Sequence, residues 1–417
     1  MASGLHIFTS AAANYLPKVR TLCHSLRRHH PEATVHVALA DERPEGLRLE
    51  GEPFDSVIAL GELGIPDWRP WAFQHDIVEL STAIKPFVLK RLLALPGCTK
   101  ALYFDPDMVL FSRVDDILSL LDGANIALTP HQNKPERTLD AIVDNEIGSL
   151  KWGIFNLGFL GVANTAETHR FVDWWSQRTY HFCWADVPNG LFTDQKWINH
   201  VPVFFDAVSI VKSSRHNVAT WNLTTRRMTG DLEAGFVVDG EPLGFYHFTG
   251  FDSGAHSIMA VKNAAGNASV QRLIDWYEKE TTPRADDPRA SPAWAYGHFS
   301  NGAKIDAAHR TLYRFRRDLQ QAFPDPFDAS PGKLTFFEWC ETTGRARHPE
   351  LFKGDAATAA AAARALPRFG ISPRVGLSLL GTMFMPRRGR GLRSRLAAVL
   401  RSEGIGGVTR RLWGSRG

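Results

Sequence analysis

The chain has 417 residues, of which 44% are hydrophobic and 22% charged. This is the composition of a globular protein with room for a full core, and no apolar run approaches the length of a membrane span, the best around Phe155–Ala163 and Val375–Met385 being too short. Cys23, Cys98, Cys183 and Cys340 lie far apart with no C-x-x-C pair, which argues against a zinc ribbon or a disulfide framework and for a reducing, cytoplasmic setting. The formal charge of +4 is unevenly placed: residues 386–417 hold nine Arg and one Glu, a local +8, leaving −4 on residues 1–385. The N-terminus has neither a basic n-region nor a long apolar h-region, so no signal peptide is expected.

Leu5–Ser10 reads as a first strand, Ala11–Tyr15 as a loop, and Leu16–His30 as a helix with Val19, Leu22, Cys23 and Leu26 on one face. Pro31 stops that helix, Thr34–Ala40 alternates as a second strand, and Phe54–Leu60 makes a third after a polar loop. Helices are expected over Pro70–Leu80 and Ser81–Leu95, with Lys85 and Pro86 early in the second. A short apolar strand, Ala101–Phe104, comes next. A helix near Val114–Leu121 and a strand at Asn125–Thr129 follow, then a long buried strand over Lys151–Ala163 with a polar Asn156 inside it. A helix carries Phe171, Trp174 and Trp175. Asp194–Asn199 reads as a short helix opened by Thr193 or Asp194, and strands are expected near Val201–Phe205, Gly235–Val238 and Leu243–Phe248. Beyond residue 256 the pattern turns helical, at Ser269–Glu280, Lys304–Ala322, Leu334–Thr342 and the alanine-rich Ala356–Ala365. Strands alternating with helices argue for an α/β sheet. Three segments are expected: 1–255, a helical extension over 256–345, and an Ala-rich helix with a basic tail over 346–417.

The strand Ala101–Phe104 ends abruptly at Asp105-Pro106-Asp107. Pro106 cannot donate to a sheet ladder, so the strand stops or leaves the sheet there. Two carboxylates then stand at the carboxyl end of a buried strand, where open α/β sheets place their ligands. Such oxygens suit a hard divalent cation that also takes phosphate oxygens. A plain Asp-Pro-Asp turn is the alternative.

There is no G-x-x-x-x-G-K-[ST], no G-x-G-x-x-G after the first strand, no H-E-x-x-H and no G-x-S-x-G, which weakens NTPase, dehydrogenase, metalloprotease and α/β-hydrolase readings together. What is present, in order, is Asn14-Tyr15, Lys85, Asp105-x-Asp107, Phe155-Asn156-x-Gly158, Asp194-Gln195 and His247-Phe248-x-Gly250. Over roughly residues 5–255 this series resembles the glycogenin-like family 8 glycosyltransferases. The resemblance implies a GT-A fold, a Rossmann-like mixed sheet flanked by helices, and a hexosyltransferase that moves a sugar from a nucleotide-diphosphate-sugar, with retention, to a glycan or lipid-linked acceptor. It implies that Asp105, Asp107 and His247 bind Mn²⁺ or Mg²⁺, that Asn156, Asp194 and Gln195 line the donor sugar, that Tyr15 stacks on the base and that Lys85 faces the nucleotide. The bland alternatives are a satisfied amide for Asn156, a helix cap for Asp194, a packed ring for His247, a surface lysine for Lys85 and a core aromatic for Tyr15.

The chain departs from that family where Ala11–Ala13 stand in place of an acidic residue, and where Phe251-Asp252-Ser253-Gly254 lacks a phosphate-binding Lys. Arg226 and Arg227 are candidates to replace it. The segment Trp294–Arg314 resembles a C-terminal element of some bacterial polysaccharide glycosyltransferases. Rival functions are a haloacid-dehalogenase-like phosphatase using Asp105 and Asp107, and a non-catalytic sugar-nucleotide-binding protein. The basic tail interleaves Arg with Leu392, Leu396, Val399, Leu400, Leu412 and Trp413, which suits the inner face of an anionic membrane better than nucleic acid.

Overall fold

In the computed structural model, residues 4–264, 266–282 and 293–352 are described. The expected alanine-rich helix and basic tail lie outside them. The described residues form two compact units, one running to Gly297 and one beginning at His298.

The first unit is built on a seven-stranded mixed sheet. Its strands are β1 (Leu5–Ala11), β2 (Thr34–Leu39), β3 (Ser56–Ala59), β4 (Lys100–Phe104), β6 (Ile126–Pro130), β7 (Phe155–Ala163) and β10 (Val208–Ile210), in the order β10-β6-β7-β4-β1-β2-β3. Apart from β7, which runs antiparallel to both β4 and β6, neighbouring strands are parallel. Three small ladders complete the β-structure: β5 (Met108–Leu110) with β14 (Phe245–His247), β8 (Ala185–Asp186) with β9 (Leu191–Phe192), and β11 (Met228–Asp231) with β12 (Gly235–Val238) and β13 (Glu241–Pro242). Helix α1 (Leu16–His29) buries Val19, Leu22, Cys23 and Leu26, the face its spacing predicts. Because β1 is flanked by β2 on one side and β4 on the other, the chain reverses direction across the sheet between β1 and β4. The carboxyl ends of those two strands flank the crevice where such sheets hold ligands.

Several elements differ from expectation. The 70–95 region is three helices, α2 (Trp68–Phe73), α3 (Ile77–Ala83) and α4 (Lys85–Leu93). Asp76 caps α3 by accepting from the Val78 and Glu79 amides, and Pro86 in the first turn of α4 starts a new helix where Ser81 was expected to. Strand β7 begins at Phe155, not Lys151, because Ile147–Trp152 is helical and Gly153, at φ 139, takes a turn that L side chains avoid. Val201–Phe204 is a helical turn rather than a strand; Pro202 fits its first positions and cannot serve a ladder. Helices Ala255–Ala264 and Ala268–Thr281 belong to the first unit, where Phe248 stacks on Tyr277. In the second unit Ala307–Phe315 and Arg317–Ala322 are separate helices, and the Tyr313 hydroxyl donates to the Phe323 carbonyl at 2.8 Å.

The sheet interior carries a pH-sensitive pair. His6 on β1 and His36 on β2 lie with Nδ1 and Nε2 2.9 Å apart, and His36 Nδ1 meets the Ser56 hydroxyl at 2.7 Å. Burial, helped by His6, pushes the His36 ring down to about 4. The unfolded chain therefore binds a proton that the folded chain refuses, so stability is lost as pH falls below about 6.5. Lowering the pH from 7 to 5 should cost about 2 kcal/mol of unfolding free energy from this ring. Urea titrations of the wild type and His36→Gln at both pH values check it; equal slopes with pH would contradict it.

Candidate active site

Strand β4 ends where its apolar run ends. Asp105 turns out of it while its amide still donates to the Gly158 carbonyl at 2.7 Å, and Met108 N closes a turn onto the Asp105 carbonyl at 3.0 Å. Beyond Pro106 the chain leaves the large sheet, as the missing N–H requires, and β5 pairs antiparallel with β14. The register sets Met108 opposite His247, and Phe248 N donates to the Asp107 carbonyl at 2.9 Å. A small two-stranded ladder thus brings a residue from far along the chain onto the Asp105–Asp107 turn.

His247 Nε2 stands 3.2 Å from Asp107 Oδ1 and 3.8 Å from Asp105 Oδ2. One potential ligand atom from each of the three residues lies within 4.8 Å of the other two. On its other side the ring meets the Asn156 side chain, Nδ1 to Oδ1 3.1 Å. That Asn156 oxygen also accepts from the Gly158 amide at 3.2 Å, which fixes it as the acceptor and makes His247 Nδ1 the donor. With Nδ1–H tied to Asn156, Nε2 is the nitrogen that faces the carboxylates and the one a cation there would take in place of a proton. Burial alone would push the His247 ring down, but the Asp107 carboxylate outweighs it and holds the ring above its ordinary value. Burial would likewise raise Asp107, and His247 outweighs that, leaving it below the usual carboxylate range. Two carboxylates and an imidazole fit a divalent cation of the Mn²⁺ or Mg²⁺ kind, the imidazole favouring the softer of the two.

A second cluster touches the first through Lys85. This side chain is buried, with Nζ 3.2 Å from Asp105 Oδ1, 3.1 Å from Asp194 Oδ2 and 3.1 Å from the Leu157 carbonyl. The Tyr103 hydroxyl donates to the same Asp105 oxygen, and the ammonium lies 4.3 Å from the Tyr103 ring centre. Burial lowers the lysine, but Asp105 and Asp194 together raise it above its ordinary value, so it is a fixed cation. Burial pushes the Asp194 carboxyl up, Lys85 opposing. Asp194 does not cap a helix: it sits in the turn before the 3₁₀ stretch Lys196–His200, and its carboxylate faces Lys85 and the Thr193 hydroxyl. Gln195 Oε1 accepts from the Leu157 amide at 2.8 Å and its amide donates to the Trp152 carbonyl at 3.2 Å.

Asp105, Asp107, His247, Asn156, Gln195, Lys85 and Asp194 are therefore brought together, linked contact by contact. Tyr15 lies in the 3₁₀ turn Ala13–Tyr15 between β1 and α1, its hydroxyl donating to Asp252 and its ring 4.3 Å from the Lys18 ammonium. Arg226 does not face this group. It is buried and donates to the Ser214 and His216 carbonyls at 3.1 and 2.6 Å, a strut within its own loop. Arg227 is exposed, with its amide on Asp239. The sequence reading missed Tyr103, although strand alternation puts it on the same face as Asp105. It also missed His131, whose Nε2 is 3.3 Å from Asn156 Nδ2, and Trp221, whose ring is edge-on to His247; the first comes from a loop and the second from the single 3₁₀ turn Thr220–Asn222, with no pattern to mark them.

Gly158 shows why the Asn156 motif ends in glycine. A Cβ there would lie 2.4 Å from Met108 Cε, 2.6 Å from His247 Cε1 and 2.8 Å from Asn156 Oδ1. Gly158→Ala should fold but displace the imidazole, weakening Mn²⁺ affinity on the order of 10-fold or more, as disturbed outer partners of a metal ligand do. Isothermal titration with Mn²⁺ reads it, and wild-type affinity would contradict it.

No protein-family model matches the chain. It is 28% identical over 256 residues to the uncharacterized protein YfnD of Bacillus subtilis, spanning 60% of this chain and 78% of that one. It is 22% identical over 180 residues to YfnF of the same organism, covering 42% and 58% of the two chains. Among solved structures, a galactosyltransferase, LgtC, in complex with donor and acceptor sugar analogs aligns over 67% of this chain and 98% of its own, with 17% identity and a TM-score of 0.42. The glycosyltransferase GlyE of Streptococcus pneumoniae aligns over 68% and 61%, with 16% identity and a TM-score of 0.40. Scores of this size are too low to fix a family, and the functional reading rests on the geometry of the site.

Proposed function

We propose that this chain is a divalent-metal-dependent glycosyltransferase of GT-A type, moving a hexose from a nucleotide-diphosphate-sugar to a glycan or lipid-linked acceptor with retention at the anomeric carbon. The observation that carries the reading is Lys85, one buried ammonium shared between Asp105, in the metal-type cluster, and Asp194, in the second. Breaking a glycosyl–phosphate bond builds negative charge on the departing diphosphate and positive charge on the sugar ring. A cation beside one carboxylate group and a buried acid beside a polar pocket serve those two needs side by side.

Asp105, Asp107 and His247 would hold Mn²⁺ or Mg²⁺, which when bound neutralises charge on the diphosphate. Asn156 sets the tautomer of His247 through the 3.1 Å contact with Nδ1. Lys85 holds Asp105 and Asp194 at a fixed separation, supplying positive charge without reorganisation during the reaction. Asp194 and Gln195 offer carboxylate and amide oxygens to the sugar hydroxyls, and the Asp194 carboxylate offsets positive charge at the ring. Gln195 is held for that task by its bonds to Leu157 and Trp152.

The phosphatase alternative is not favoured. It needs a free Asp105 nucleophile and a later acidic pair, but Asp105 is engaged by Lys85 and Tyr103. Asp115 is paired with Arg113, and Asp116 with Arg215 and His216. Treatment with EDTA should abolish donor turnover, and Mn²⁺ or Mg²⁺ should restore it. Turnover indifferent to EDTA would overturn the metal-dependent reading. Among the described residues no helix is long and apolar enough to cross a membrane; we place the enzyme at the inner membrane face through its basic tail.

A further inference from the structure

The opposite lip of the crevice is formed by the end of β1 and the first turn of α1. Lys18 is buried there, with its Nζ 2.5 Å from Asp252 Oδ2, and the Tyr15 hydroxyl donates to that same oxygen. One carboxylate oxygen thus takes both donors. Asp252 follows Phe248 by four residues, and the Phe248 amide donates to the Asp107 carbonyl at 2.9 Å, so the lip adjoins the metal-type cluster. The lip is therefore an oxyanion pocket beside the metal-type cluster, and an anion from the chain itself is already seated in it.

That anion is poorly anchored. The Asp252 side chain is 56% exposed, while that of Lys18 is 10% exposed. Asp252 lies in the turn directly after His247-Phe248, between Gly250 at φ 72 and Gly254 at φ 74. These two backbone conformations favour glycine, and the turn between them is closed by short-range bonds, Phe251 N to Phe248 O and Gly254 N to Phe251 O. A buried ammonium needs an anion, whereas an exposed carboxylate on a turn of six residues has water as an alternative.

We propose that Lys18 and the Tyr15 hydroxyl form a subsite for a phosphate oxygen of the donor's diphosphate, and that Asp252 is its resident counter-ion, displaced as the donor enters. This rests on the glycosyl-transfer reading above and adds to it a phosphate ligand and a latch. The cation at this lip comes from α1, and the turn after His247 carries an acid in place of a base. Donor binding exchanges one carboxylate oxygen for a more highly charged phosphate oxygen, and the turn 249–254 is freed to close on the bound sugar nucleotide.

The test is isothermal titration of the full chain, with Mg²⁺ present, by UDP, GDP, ADP, CDP and dTDP. Asp252→Asn removes the resident charge and should tighten the best nucleoside diphosphate about 5-fold, since a competing internal anion taxes the apparent affinity. Asp252→Ala, which leaves no polar group, should tighten it likewise. Lys18→Met should weaken it on the order of 10-fold or more, as loss of a charge-assisted contact does. In the Lys18→Met/Asp252→Asn double variant the gain from Asp252→Asn should vanish, because there is no cation left to free. Thermal unfolding of each variant confirms the fold. If the wild type binds a nucleoside diphosphate but the Asp252 variants bind it no more tightly, or Lys18→Met binds as the wild type does, the subsite and latch are wrong and the function stands. If the wild type binds none of the five, both are overturned.

Discussion

Asp107→Ala is expected to lower sugar-transfer turnover by about 10²-fold or more while the protein stays folded, the scale on which removing a main charge stabiliser acts. Asp107 is held below its ordinary pKa against the pull of burial, chiefly by His247 at 3.2 Å. It therefore stays a carboxylate throughout the neutral range. Removing it takes away one of the three proposed ligands and leaves His247 with Asp105 at 3.8 Å and its Asn156 tether. Mn²⁺ affinity should fall with activity, and raising Mn²⁺ should recover part of the rate. Asp107→Asn, which keeps the shape and loses the charge, should behave nearly as badly. A variant with normal Mn²⁺ affinity and normal turnover would remove Asp107 from the metal site.

Lys85→Met should be the most destabilising of the variants considered. It strands the buried Asp194 carboxylate without its cation and leaves the Leu157 carbonyl without its donor. Breaking a buried pair from one side costs about 3–5 kcal/mol, because the remaining charge stays desolvated. The reverse asymmetry gives a sharper check. In Lys85→Met/Asp194→Asn no fully buried charge is left unpaired, and the partly exposed Asp105 keeps the Tyr103 hydroxyl, so much of the lost stability should return. Sugar transfer should not return, since both groups proposed to act on the donor are gone. Chemical denaturation of the wild type, both single variants and the double variant closes the cycle. A Lys85→Met protein within about 1 kcal/mol of wild type would show that the pair is not structurally coupled.

Part of this site is legible in the chain itself. Ala101–Phe104 followed by Asp-Pro-Asp places two carboxylates at a strand end, and Pro106 does eject the chain from the large sheet. The helical spacing of Val19, Leu22, Cys23 and Leu26 gives the buried face of α1. The rest depends on pairing that no local pattern encodes. His247 reaches Asp107 only through the register of β5 with β14, and Lys18 meets Asp252 only because the turn after His247 lies against the first turn of α1. The Val201–Phe205 stretch, with its apolar Val-Pro-Val-Phe-Phe, reads as a strand until Pro202 is seen to suit a first helical turn better than a ladder. At Lys151–Ile154 a continuous apolar reading runs through Gly153, whose φ of 139 is what separates helix from strand. The depth of Lys85 is likewise invisible, because nothing in a helix of mixed character says that its first lysine points inward between two acids.

The most direct test of the central claim is to incubate the purified chain with a panel of nucleotide-sugars and Mn²⁺ and to measure nucleoside diphosphate released. Transfer to water suffices when no acceptor is known. The site predicts release from at least one donor, dependent on metal and lost in Asp107→Ala. No release from any donor, together with metal-dependent hydrolysis of p-nitrophenyl phosphate, would contradict glycosyl transfer and return Asp105 and Asp107 to phosphatase chemistry.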